Sequence, residues 1–270
     1  VLSYQNSNNS VEVDTTGPNN PNPFNTYNNN SGQGKYSAYV YWRHKFNSRN
    51  TIKTGVFADQ LFFDLNEQFF RRDLKVYFDL QNFDGATYLF KPYAQWQFKL
   101  NEKLTFNSGL HGMIFTYNGK YQLEPRLGVK YELNPTNVLS FGYGMHSQVP
   151  PITLYFRNVP TPTGFLPNPN KDLDFFTSQH VVLGYDHYFN EKLRLKAEAY
   201  YQHLSGVPVG ITPNTYSLLN QGANFSFEFP DTLSNNGLGR NFGVELTLEK
   251  FLDRGFYYLV TLSLFESWYK

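Results

Sequence analysis

The stretch HVVLGYDHYFNEKLRLKAEAYYQH, His180 to His203, decides the fold. Its second half alternates without a break. Leu193, Leu195, Ala197, Ala199 and Tyr201 fall on one face, and Arg194, Lys196, Glu198, Tyr200 and Gln202 on the other. A period of two is that of an extended strand, because successive side chains leave opposite sides of the pleat. A strand of a soluble protein runs about 5–6 residues, roughly half of what this pattern sustains. Asn190-Glu191-Lys192 leaves room only for a tight turn. A long strand, apolar on one face and charged on the other, joined so closely to its neighbour, fits the wall of a membrane β-barrel. There roughly 9–11 tilted residues cross the bilayer.

The totals agree with that reading. The 270 residues suffice for one large domain or two ordinary ones. Cys is absent, so neither a disulfide framework nor a thiolate zinc site is available. A formal net charge of +1 argues against a nucleic-acid partner held by phosphate neutralisation. No run approaches the ~18 apolar residues of a membrane helix; Phe256–Val260 is the longest. The mean hydropathy of −0.50 looks soluble, but a barrel strand averages a lipid face with a wet one. Phe, Tyr and Trp make up 19% of the chain, and aromatic residues favour strands and membrane interfaces. No positively charged segment followed by an apolar core opens the chain at Val1, so no signal peptide is visible.

Residues 1–34 carry ten Asn, with Pro18, Pro21 and Pro23, and show no periodicity. The expectation there is an extracellular loop or a disordered segment, or else a polar recognition loop. Residues 35–270 read as strands: 36–46, 51–63, 87–100, 104–117, 124–133, 138–149, the two halves of the opening hairpin, 239–252 and 256–269. Short turns fall at 47–50, 101–103, 134–137, 190–192 and 253–255. The links between them, 64–86, 118–123, 150–175 and 204–238, are mostly long, with Asp84-Gly85 as a turn signal and 74–80 able to extend a strand. Short turns on one side and long loops on the other are the habit of outer-membrane barrels, whose short turns face the periplasm. About ten strands in this order would place both ends of the chain outside the cell. Bare sheet edges are costly in lipid, so the expectation is an antiparallel up-and-down segment of a larger barrel.

Three segments carry a family resemblance. YQLEPRLGVKYELNPTNVLSFGYGMHSQVPP (121–151), NPNKDLDFFTSQHVVLGYDHYFNEKLRLKAEAYYQ (168–202) and GRNFGVELTLEKFLDRGFYYLVTLSLFES (239–267) resemble, in this order, the barrel of Bacteroidetes-type TonB-dependent receptors. Residues 1–119 match in style and not in motif. The resemblance implies a 22-stranded barrel around a plug domain of the same full-length chain, embedded in outer-membrane lipid of a Gram-negative bacterium. It implies energised uptake through the TonB complex of a scarce ligand: a siderophore, glycan, peptide or metal complex. A surface lipoprotein is a further candidate partner. No cofactor is implied.

Within that frame Glu124, Arg126, Lys130, Glu132, Arg194, Lys196, Glu198, Glu245 and Glu249 form a mixed-sign wall facing the lumen and its plug. Tyr155, Phe156, Arg157 and Phe165 lie on a long loop at the outer mouth, where binding residues tend to sit, and are the candidate ligand contacts. The pairs Asp186-His187 and His146-Ser147 suggest catalysis, but neighbours on a strand point to opposite faces, so no catalytic set is assigned. Asn168–Asp174 alternates oxygen ligands suited to calcium. It lacks the central Gly and terminal Glu of an EF-hand loop and carries Lys171, so a strand entry explains it better and no metal is assigned. A passive porin-like channel is the alternative function. An outer-membrane enzyme would need polar groups gathered on one face near a rim, and a propeller would need short strands at a period of ~40–45 residues.

Overall fold

Four of the five short turns are built the same way, which is why they close where the sequence places them. The side-chain oxygens of Asn47, Asn101, Asn134 and Asn190 each accept a backbone N–H two residues on, from Arg49, Lys103, Thr136 and Lys192, at 2.9–3.0 Å. Asn47 and Asn101 accept a second from Asn50 and Leu104. An Asn that satisfies the turn's own donors fixes the hairpin without help from elsewhere.

The computed structural model describes residues 1–17, 20–162, 164–211, 216–221, 232–253 and 255–270. Its strands are β1 (Leu2–Gly17), β2 (Asn20–Lys45), β3 (Asn50–Arg71), β4 (Val76–Lys99), β5 (Leu104–Phe115), β6 (Lys120–Asn134) and β7 (Asn137–Gln148). After a short 3₁₀ turn come β8 (Val159–Thr161), β9 (Gly164–Leu166), β10 (Phe176–Asn190), β11 (Leu193–Gly210), β12 (Leu233–Asp253) and β13 (Phe256–Tyr269). Eleven of them form one sheet in chain order, each antiparallel to the next, with β10 following β7 and with β1 and β13 at the edges. β8 and β9 form a separate two-stranded hairpin. The all-β, up-and-down architecture is the expected one.

Register sorts the side chains into two faces. Across β10–β13 one row runs Leu183, Ala199, Val244, Leu264, and the next runs Gly184, Glu198, Glu245, Ser263. In the first row Leu183, Val244 and Leu264 are 51–63% exposed. Such an apolar outer face needs a non-aqueous surrounding. The polar rows lie on the inner face.

Several expectations are corrected. Residues 1–34 are not an irregular loop: β1 pairs with β2 from Leu2↔Ala38 to Gly17↔Asn20. The sheet therefore has eleven strands where ten were counted. Backbone pairing with β2 holds a segment whose polar side chains give no periodic signal. The link 64–86 shrinks to residues 72–75, because β3 and β4 continue pairing to Arg71↔Val76. Asp84-Gly85 lies inside β4 opposite Asp64 and Phe63. Gly85 is there for room, since a Cβ would meet the Phe83 ring at 2.9 Å. The link 204–238 likewise loses both ends to β11 and β12, and residues 212–215 and 222–231 lie outside those described. Nor do both ends lie beyond the long loops. Val1 sits beside Tyr39, part-way along β2, while Lys270 exchanges hydrogen bonds with Leu238.

Apolar residues are buried on the inner face where the chain covers it. Residues 149–175 fold back over it at the long-loop end. There Leu154, Tyr155, Phe156, Leu173 and Phe175 pack with Phe63 and Leu65 of β3, Phe115 of β5 and Leu233 of β12.

Candidate functional site

The inner wall and the inward-folded loop are the two parts able to meet a partner. On the wall, β6 and β11 set carboxylates and cations at i, i+2, which puts them on one face and within reach. Arg126 Nη2 lies 2.8 Å from Glu124 Oε2, Lys130 Nζ 2.8 Å from Glu132 and Lys196 Nζ 2.6 Å from Glu198. Arg194 bridges strands, 2.9 Å from Glu249 and 3.7 Å from Asp186. Glu245 accepts from the Ser263 hydroxyl at 3.2 Å and stands opposite Glu198. Glu124 is buried and also accepts the Ser147 N–H at 2.7 Å. All nine of the wall residues expected from alternation thus share one face.

The loop is anchored by charge as well as by packing. Arg157 Nη1 lies 3.1 Å from Glu67 Oε2, with side chains 12% and 4% exposed. The Tyr27 hydroxyl donates to the same Glu67 at 3.0 Å. Gln81 Nε2 donates to Thr153 O at 2.7 Å, and Asn158 spans Leu80 and Asp79 of β4. Phe156 stacks on Phe83 with centroids 3.8 Å apart, and Tyr155 lies 5.5 Å from Phe115. Burial raises the Tyr155 phenol above its ordinary pKa.

These contacts change what the four loop candidates can do. Tyr155 and Phe156 are 1–2% exposed, so their rings form a core and offer no surface to a ligand. Arg157 spends its charge on Glu67. Phe165 alone is open, at 51% exposure beside Phe78. Burial was not legible because a loop that folds inward has no period to reveal it.

The loop 168–174 spends its oxygens locally. Asn170 Oδ1 accepts from Leu233 N at 2.9 Å, Asp174 Oδ1 accepts from Phe175 N at 2.8 Å, and Asp174 also faces Lys120 at 3.5 Å. Among the described residues no group of three or more His, Asp and Glu is placed to hold a metal. Asp186 and His187 diverge, toward Arg194 and Asn137. What sequence reasoning missed is cross-strand. His146 and His180 approach to 5.5 Å between ring centroids, and His180 joins Ser178 and Gln202 at 2.6 and 3.0 Å. Their shared face was readable from parity, but the register across 149–175 was not.

Known proteins place this architecture. The family described as TonB dependent receptor-like, beta-barrel matches residues 1–269. The chain belongs to that family, whose members are multi-pass β-barrels of the outer membrane serving as receptors and transporters. No curated protein matches the sequence. Among solved structures, the siderophore receptor PirA from Pseudomonas aeruginosa is 13% identical with a TM-score of 0.66, over 98% of this chain and 50% of that one. The copper transporter OprC is 13% identical with a TM-score of 0.63, over 100% and 43%. The FrpB iron transporter from Neisseria meningitidis is 12% identical with a TM-score of 0.61, over 90% and 36%. At such identities the likeness is one of fold. The chain spans half or less of each of these proteins, as a segment of a larger barrel would.

Proposed function

We propose that these strands form part of the wall of an outer-membrane receptor that takes up a scarce ligand using energy delivered through TonB. The observation that carries this is the family match over residues 1–269. The mixed-charge inner face beneath a loop folded over its mouth supports it. The short turns then face the periplasm and the long loops the exterior. Glu124, Arg126, Lys130, Arg194, Lys196, Glu198 and Glu245 seat a plug domain of the same full-length chain. Phe165 is the ligand contact that remains from the loop, while Tyr155, Phe156 and Arg157 hold that loop in place. The ligand is a siderophore, glycan, peptide or metal complex, and the likeness of three segments to Bacteroidetes-type receptors supports that branch. A surface lipoprotein is a candidate partner at the mouth.

The test is genetic. A strain lacking the gene is screened for a solute whose uptake it has lost, and that uptake is then measured in a TonB-deficient strain carrying the gene. Loss of uptake without TonB is the expected result. Uptake that persists would replace this reading with a passive, porin-like channel.

A further inference from the structure

Near the short-turn end, the inner face of β2–β6 carries two cations, Arg43 and Lys53, that no neighbouring carboxylate accounts for among the described residues. One registered row runs Arg43, Lys53, Gln95, Gly109, Arg126. Gly109 and, one row further toward the turns, Gly128 put no side chain into this wall. They leave a depression of about 430 Å³ lined by Arg43, Lys53, Gln95, Asn107, His111 and Arg126, among others. No carboxylate lines it. Glu124, the nearest, is already bonded to Arg126 Nη2 and to the Ser147 N–H. Arg43 and Lys53 make no ion pair among the described residues; Lys53 Nζ lies over the Tyr41 ring, 4.7 Å from its centroid. A guanidinium and an ammonium gathered without a counter-charge favour a planar two-oxygen acceptor.

We propose that this pocket binds a carboxylate group. The Arg43 and Lys53 cations and the open part of the Arg126 guanidinium supply the balancing charge, with the Gln95 and Asn107 amides beside it. The proposal rests on the reading of this face as a lumen wall. The carboxylate comes either from an Asp or Glu elsewhere in the full-length receptor or from a free solute.

The experiment uses the purified full-length receptor, so its outcome does not depend on whether uptake requires TonB. A carbodiimide that joins amines to carboxylates only at ion-pair distance is applied, and the products are mapped by mass spectrometry. A link from Lys53 to an Asp or Glu outside residues 35–270 supports the proposal with a carboxylate borne by the receptor. If no link forms, succinate is titrated calorimetrically. Saturable binding that weakens about tenfold or more in both Lys53→Gln and Arg126→Gln supports a free carboxylate. The double substitution Lys192→Gln/Lys250→Gln, far from the depression and outside the plug-seating wall, serves as the control and should leave that binding unchanged. No link together with no succinate binding, or binding that both pocket variants retain, overturns the proposal.

Discussion

Arg157 and Glu67 are the residues on which the inward fold of the loop turns most sharply. Both charges are largely withdrawn from water and each neutralises the other, so removing one leaves a buried charge without its counter-charge. Such a loss costs about 3–5 kcal/mol, whereas replacing both with uncharged groups of similar volume costs far less. In the full-length receptor, Arg157→Met or Glu67→Gln alone should expose residues 150–175 to protease, and the double substitution should restore much of the protection. Equal cleavage in all four proteins would mean that the aromatic packing around Phe156 holds the loop unaided. This pair also marks a limit of reading from sequence. The charges were visible, and Arg157 sat on the right loop. Its partner lies 90 residues away on β3, in a stretch where nothing local indicates that a loop will come down on it. The sequence therefore marked the loop as important, while the anchoring task of Tyr155, Phe156 and Arg157 is visible only in the structure.

At the scale of the element, β11 states the two-faced wall most plainly. Leu195 and Ala197 share the outer face, and Lys196 and Glu198 the inner one. A charge placed on the lipid face of a barrel costs about 2–4 kcal/mol near mid-membrane, while a change on the wet face costs little. Ala199→Arg, on the same outer face nearer mid-membrane, should therefore lower the folding free energy of the full-length receptor by about 2–4 kcal/mol, and Lys196→Gln by less than about 1 kcal/mol, as read by denaturant titration in lipid vesicles. The reverse ranking would invert the assignment of faces. Strands of this kind were legible because each face has its own solvent, and the turns between them because Asn47, Asn101, Asn134 and Asn190 close them locally. Legibility ended where the solvents became alike. Above Asp59, β3 continues as QLFFDLNEQFF, with water or a covering loop on both sides, and the alternation that named its lower half is lost. β1 and the start of β2 are amide- and hydroxyl-rich on both faces for the same reason.

The whole molecule is an eleven-stranded antiparallel sheet whose outer face is apolar and whose inner face carries charge. The short turns all fall at one end of the sheet, but at the other end only the connections 149–175 and 211–232 are long: β3–β4 and β5–β6 close in four residues, 72–75 and 116–119, and β1 had been missed. Strands that continue pairing past the expected ends took up what read as loop. The central claim is that lipid lies on one side of this wall and water on the other. The most direct test is site-directed spin labelling along β11, in the full-length receptor on a cysteine-free background reconstituted in vesicles; the strands described here contribute no Cys of their own. Single Cys substitutions from Leu193 to Gln202 would each be labelled and their collision rates with oxygen and with a water-soluble nickel chelate measured. The account predicts a strict period of two. Positions 193, 195, 197, 199 and 201 favour oxygen, and 194, 196, 198, 200 and 202 are shielded from lipid. Uniform access to the nickel reagent along the strand, or alternation of the opposite phase, would contradict it.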